Sequence, residues 1–256
     1  MPYFIVSIPA IVLFTFFFHR PNLGNDFYTH SIVRQIFEFY ITGSHVAAFW
    51  FIPMITLFYL ISPVLARLDK DERIYYFIPL FIIVSILIPR GQSVLHNFTH
   101  FFSIYLIGMC SSRYKDKIFK ITEKGKYFNA LLAMYCLSVL ISILNVPLQI
   151  PVYILNYFSK LLLSIVLISV LYRYDYIIQK RGGFLASISF GIYFVHNYIL
   201  FFIKFLTSGH IMTTTPFDGS VLRFLLFFVF VVVSCSLIII LIKGITGKYS
   251  KNIIGC

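Results

Sequence analysis

With 59% apolar and only 12% charged residues among 256, the chain has too little polar surface for a soluble domain, and its composition places it in a membrane. Its 30 Phe and 18 Tyr exclude a disordered chain, 13 Gly exclude a collagen, and four cysteines without CxxC or paired spacing give neither a disulfide framework nor a zinc site. A formal charge of +12 suggests a nucleic-acid partner only until the basic residues are placed, because they fall in alternate loops between apolar runs.

A spanning helix needs about 20 mostly apolar residues. Eight stretches are expected to span: Pro2–Phe18, Val46–Leu65, Ile74–Ile88, Phe98–Cys110, Tyr127–Leu144, Val152–Leu171, Phe184–Leu206 and Val221–Ile242. The third and fourth are short enough to be tilted, kinked or partly re-entrant. The first opens Met1-Pro2-Tyr3-Phe4 without the basic residues that precede a signal peptide's apolar region. No repeat, linker or charge block marks a separate soluble part, so a single membrane domain over residues 1–256 is expected.

Lys and Arg set the orientation, since cytoplasmic loops hold an excess of them. With the amino terminus inside, 15 of the 21 basic residues fall in cytoplasmic loops, among them Arg67, Lys70, Arg73 and the run from Arg113 to Lys126. Arg20, Arg34, Arg90 and Arg223 fall outside, and Lys160 and Lys204 lie within spans. The expectation is an all-α, polytopic helix bundle with both termini cytoplasmic. His19, His30, His45, His96, His100 and His210 then sit at or beyond the outer boundary, and only His196 lies well inside a span.

Polar groups in hydrocarbon are expensive, so those that persist face a cavity or a partner. In the outer loop, His30, Arg34 and Glu38 are spaced four apart and would align on a surface helix, where Arg20 or Arg34 offers a phosphate or sugar contact. In the second span, Trp50 suits an aromatic anchor at the interface, while Tyr59 and Ser62 share one face and either line a polar path or cross-link helices. His96 and His100 have the spacing of a metal pair, but no carboxylate lies within their segment, and no metal is expected. The basic inner loop after Arg113 is a retention signal that also suits an anionic nucleotide or headgroup. In the seventh span, Ser189, Tyr193 and His196 stand at i, i+4 and i+7 and share a face, followed by Asn197. An imidazole there serves either proton transfer, if water reaches it, or packing against a neighbouring helix.

Four stretches resemble the acyltransferase 3 family of integral membrane proteins, which O-acylate surface polysaccharides, peptidoglycan or related acceptors in bacteria. Gly43 to Pro53 running on to Tyr59-Leu60-Ile61-Ser62-Pro63 is similar to the family's "WF(I/L)P…Y…SP" span, and Phe101 to Met109 to its "F…YLxG" span. Ser189-Phe190-Gly191-Ile192-Tyr193-Phe194-Val195-His196 resembles its "S(Y/F)(G/S)IYLxH" signature, and Gly247 to Gly255 its common ending. Family members have roughly ten spans, the first bearing an Arg and a His implicated in acyl transfer. Here Pro2-Tyr3 resembles the "PY" that opens a later span, so the resemblance implies a chain shortened by two spans, with His19, His30 or His45 as outer-face substitutes for that histidine.

The resemblance implies a multi-pass protein of the bacterial cytoplasmic (inner) membrane that moves an acyl group, acetyl in the first instance, from acyl-CoA to a hydroxyl of a surface glycan. Its expected partners are the lipid bilayer, the glycan and a companion protein supplying the missing spans. His196 is the expected catalytic group, oriented by Ser189 and Tyr193; Asn197, Trp50, Tyr59, Arg20 and Arg34 complete the expected substrate contacts. The competing readings are a polysaccharide export or assembly protein and an inactive remnant of an acyltransferase.

Overall fold

The structure is a computed structural model that describes residues 2–20, 23–88, 90–91, 93–143, 151–208 and 221–256. His210 and Leu144, the expected end of the fifth span, lie outside them. Among the described residues every regular element is helical and there is no strand. In chain order these are α1 (Pro2–Val12), α2 (Asn25–Thr29), α3 (Ile32–Thr42), α4 (Phe51–Leu68), α5 (Ile78–Leu87), α6 (Val94–Arg113), α7 (Lys115–Thr122), α8 (Gly125–Ile143), α9 (Val152–Arg173), α10 (Asp175–Ser208), α11 (Val221–Thr246) and α12 (Ser250–Ile253).

Among the described residues, five helical stretches are long and apolar enough to cross a membrane: Phe51–Leu68, Gly125–Ser142, Tyr153–Arg173, Gly182–Leu206 and Arg223–Ile253. Pro2–Phe17 is a shorter apolar helix, α1 continued by a π-helical turn at Leu13–Phe17. The expected count of eight is therefore not reached by length and composition. The third expected span breaks at Pro79: a 3-10 turn over Glu72–Phe77 precedes α5, whose 10 residues rise only about 15 Å against a core about 30 Å thick. The fourth expected span does lie in a helix of 20 residues, α6, but His96, Asn97, His100 and Ser103 make it too polar to qualify.

The chain divides into two compact units, Met1–Pro53 with Gly182–Cys256, and Met54–Arg181. In the first unit the buried face of α1 is Ser7, Ala10 and Ile11, continued by Phe14 in the π-turn; it packs with Phe39, Phe49 and Phe194 into one apolar cluster. A second cluster joins Ile188 and Val195 of α10 to Val231, Cys235 and Ile239 of α11 and to Ile254 of the tail. Gly191 lets these elements meet, since a Cβ there would stand 2.7 Å from the Cys256 Sγ.

In the second unit, α5 packs on α6 and α9, and α8 on α9. Several polar groups in its interior pair with one another, as a low-dielectric surrounding favours, while the buried Asn97 Oδ1 has no hydrogen-bond partner. The His100 Nδ1–H donates to the Ser85 carbonyl at 2.9 Å, the Ser85 and Ser103 hydroxyls meet at 2.7 Å, and Ser103 meets the Tyr157 hydroxyl at 2.6 Å. His96, the other half of the spaced histidine pair, is exposed near the start of α6. Pro63 inside α4 removes the amide that the Tyr59 carbonyl would take, and the Ser62 hydroxyl replaces it at 2.8 Å. The Tyr59–Ser62 pair is thus a repair of the helix backbone, and the Tyr59 side chain is 69% exposed.

Candidate active site

The site forms where α3 ends. Gly43 caps α3 in the left-handed region at φ 67°, and the turns that follow carry Ser44 and His45 back against α1. The Thr42 hydroxyl fixes this reversal, donating to the Glu38 carbonyl at 2.6 Å and accepting from the Ser44 amide at 3.2 Å. His45 is fully buried, ringed by Tyr3, Phe39, Tyr40 and Phe49 with centroids 5.4–6.1 Å away.

Both imidazole nitrogens are engaged, and their partners set the tautomer. Nδ1 lies 2.9 Å from the Phe39 carbonyl, which can only accept, so Nδ1 carries the proton. Nε2 therefore holds a lone pair, and the Ser7 hydroxyl donates to it at 2.7 Å. His45 lies in the segment between α3 and α4, outside the long apolar helices. Burial pushes its pKa down to about 4, the Phe39 carbonyl opposes this, and the Arg20 charge adds to it. At neutral pH the group is an uncharged base.

A cavity of about 380 Å³ adjoins this arrangement, its wall mostly apolar side chains such as Ala10, Phe14 and Phe201. The polar residues on it are Arg20, His45, Asn197, Lys204 and Tyr198, whose hydroxyl donates to the Val6 carbonyl. The Arg20 guanidinium lies over the Phe14 ring at 5.2 Å and donates from an Nη to the Ser44 carbonyl, while its Nε is buried without a hydrogen-bond partner. Burial lowers its pKa from the ordinary arginine value. Among the described residues no carboxylate pairs with Arg20, so its charge belongs to the cavity. A base without charge, a fixed cation and an amide around a mostly apolar volume are parts that suit transfer between a carbonyl and a hydroxyl.

The family model described as an acyltransferase domain, that of acyltransferase 3, matches residues 1–243. This chain belongs to the acyltransferase 3 family. It is a multi-pass membrane acyltransferase. No curated protein and no solved structure matches it.

In this acyltransferase the expected site residues separate. Arg20 and Asn197 meet at the cavity. His196 reaches it only through its neighbour: its Nδ1–H donates to the Ile192 carbonyl at 3.0 Å, and its Nε2 accepts from the Asn197 amide at 2.9 Å. Ser189 and Tyr193 share a face with His196 but do not hydrogen-bond to it. The Ser189 hydroxyl donates to the Ala186 carbonyl at 2.9 Å, and the Tyr193 hydroxyl to the Ala48 carbonyl at 2.7 Å, tying α10 to the turn after His45. Trp50 is half-buried beside Phe51, with ring centroids 6.1 Å apart. Tyr59 belongs to the second unit.

Arg34 does share α3 with Glu38 and bonds it at 2.8 Å, but its own side chain is 60% exposed. His30 stands before the helix, yet its Nδ1 comes within 3.7 Å of the same carboxylate. The helix predicted over these three residues therefore begins one residue after His30's neighbour Ser31 closes the turn. Sequence reasoning gave His45 only a substitute's place, noted Lys204 as a charge within a span without giving it a place in the site, and passed over Ser7. The available signal for Ser7 was its spacing, since a hydroxyl at i with Ala10, Ile11 and Phe14 at i+3, i+4 and i+7 lies on a buried face.

Proposed function

We propose that this acyltransferase moves an acyl group, acetyl in the first instance, from acyl-CoA to a hydroxyl of a bacterial surface glycan, in the cytoplasmic membrane, and that the transfer takes place at the cavity of the first unit. The observation that carries the reading is the meeting of His45, Arg20 and Asn197 on one mostly apolar wall. Uncharged above about pH 4, His45 accepts the proton that an attacking hydroxyl must lose. Arg20, fixed by Ser44 and Phe14 before any substrate arrives, stabilises the oxyanion that develops on the acyl carbonyl. Asn197 orients the acceptor, and His196 is a positioning residue that holds the Asn197 amide. The apolar wall keeps water from competing with the glycan hydroxyl for the acyl group.

The test uses membranes carrying the full chain, acetyl-CoA labelled in its acetyl group, and surface polysaccharide as acceptor. Label enters the glycan as an alkali-labile ester. Arg20→Gln lowers kcat/KM by about 10²–10³-fold, the range for loss of one oxyanion donor. His196→Ala lowers it by about tenfold, because Asn197 keeps its place on the wall without its anchor. Wild-type transfer by Arg20→Gln removes the cavity from the reaction.

A further inference from the structure

Ser7 is the one polar residue among the three buried positions of α1, beside Ala10 and Ile11, and an apolar face has no need of it for packing. Its Oγ–H points at the lone pair of His45 Nε2 at 2.7 Å, and the Nδ1–H on the far side of the ring is held by the Phe39 carbonyl at 2.9 Å. Nucleophile, base and orienting acceptor thus form one hydrogen-bonded chain, the relation by which a serine hydroxyl is activated. In the usual arrangement a carboxylate is the orienting group. A neutral carbonyl serves here, which suits a base kept uncharged among aromatic rings.

The same imidazole stands on the wall of the cavity, and so do Pro9 and Ala10, the residues next along α1 from Ser7. Pro9 has no amide hydrogen, so the Ile5 carbonyl lacks its helical donor and the turn that screens Ser7 from the cavity is short of one ladder bond.

Resting on the acyl-CoA reading above, we infer that Ser7 carries the acyl group as an ester between the donor and acceptor halves of the reaction. The Ser7 Oγ attacks the thioester carbonyl carbon; the Oγ–C bond forms, the C–S bond breaks, and the proton passes from Oγ to His45 Nε2 and on to the departing thiolate, giving acyl-serine and free CoA thiol. In the second half the acceptor hydroxyl gives its proton to Nε2, its oxygen bonds to the acyl carbon, the Oγ–C bond breaks, and Ser7 recovers the proton. Ser7 is fully buried in this structure, so the turn bearing Pro9 opens for each half-reaction and its closure shields the ester from water between them.

Donor alone decides the matter. The full chain in membranes is incubated with labelled acetyl-CoA without glycan, denatured and digested. One acetyl group is expected on the peptide containing Ser7, and added polysaccharide removes it in a chase before denaturation. Ser7→Ala takes no label, His45→Gln acquires it at least 100-fold more slowly, and Ser7→Cys yields a label that neutral hydroxylamine strips, as a thioester requires. A wild-type chain that acylates glycan while Ser7 stays unmodified, or carries the label elsewhere, overturns the inference. So does Ser7→Ala that transfers at the wild-type rate, and if His45→Gln is inactive in the same assay the cavity reading survives that failure. Wild-type rates in both variants remove both.

Discussion

Replacing His45 by Gln is expected to lower acyl transfer by about 10²–10⁴-fold, the contribution of a positioned general base. Gln can fill part of the ring's volume and still meet the Ser7 hydroxyl, but an amide has no lone pair able to take up a proton near neutral pH. Loss of rate without loss of the protein from the membrane is the outcome that assigns the role; unchanged transfer removes it. The acid limb of the rate gives a second, independent reading. An ordinary histidine is half protonated near pH 6.5, whereas His45 is held down at about 4 by burial first and by Arg20 second. The wild-type rate should therefore stay level as pH falls from 8 to about 5 and drop only as it nears 4. Removing the Arg20 charge in Arg20→Gln removes a repulsion against the imidazolium, so the limb moves toward neutral pH in that variant.

The same shift acts on stability. The folded group binds its proton less readily than the unfolded one, so the stabilisation is complete above about pH 6.5 and is lost as pH falls toward 4. Over that window it amounts to about 3 kcal/mol at most, at about 1.4 kcal/mol per unit. A thermal melt in detergent at pH 7 and pH 4.5 measures it, and equal stability at the two values contradicts a buried neutral His45.

The fold was legible where apolar length alone decides. Among the described residues each of the eight apolar stretches contains helix, because without water backbone amides have to be satisfied within the segment. Length failed as a guide where chemistry cut across it: Pro79 at the start of α5 and the Asn97, His100 and Ser103 groups of α6 separate helices that read as spans from helices that pass the test of one. Of the candidate cavity's wall, Arg20 and Asn197 were legible, as polar groups conspicuous beside apolar runs. His45 was not, since its sequence neighbours say only that a turn follows α3. What places it is the long-range pairing with Ser7, 38 residues earlier, and no periodicity reports such a contact. The shared face of Ser189, Tyr193 and His196 shows the opposite error: helical spacing aligned them correctly, but two of the three hydroxyl and ring partners turned out to be backbone carbonyls of α10 itself and the third Ala48.

Gly43 carries the geometry of this site more than any residue that takes part in it, and Gly43→Ala is expected to disable the acyltransferase while leaving every cavity side chain in the sequence. Two separate costs arise. The left-handed φ of 67° alone costs an alanine about 1–2 kcal/mol. The new Cβ would also lie 2.4 Å from the Phe49 carbonyl carbon and oxygen and 2.6 Å from the Trp50 nitrogen, and these are backbone atoms that cannot swing aside. The turn must shift as a whole, and it holds Ser44, which anchors Arg20, and His45, whose bond to Ser7 has little latitude in length. Gly247 supplies the control. It too has a positive φ, 53°, but nothing lies within 4 Å of a Cβ built there, so Gly247→Ala meets only the conformational cost. Compared side by side in detergent, Gly43→Ala should melt several degrees below Gly247→Ala (~2–4 °C per kcal/mol in a chain of this size) and lose transfer at least 100-fold, while Gly247→Ala keeps its rate. Equal behaviour of the two variants shows that the turn can move without moving His45, and the base is then held by α1 alone.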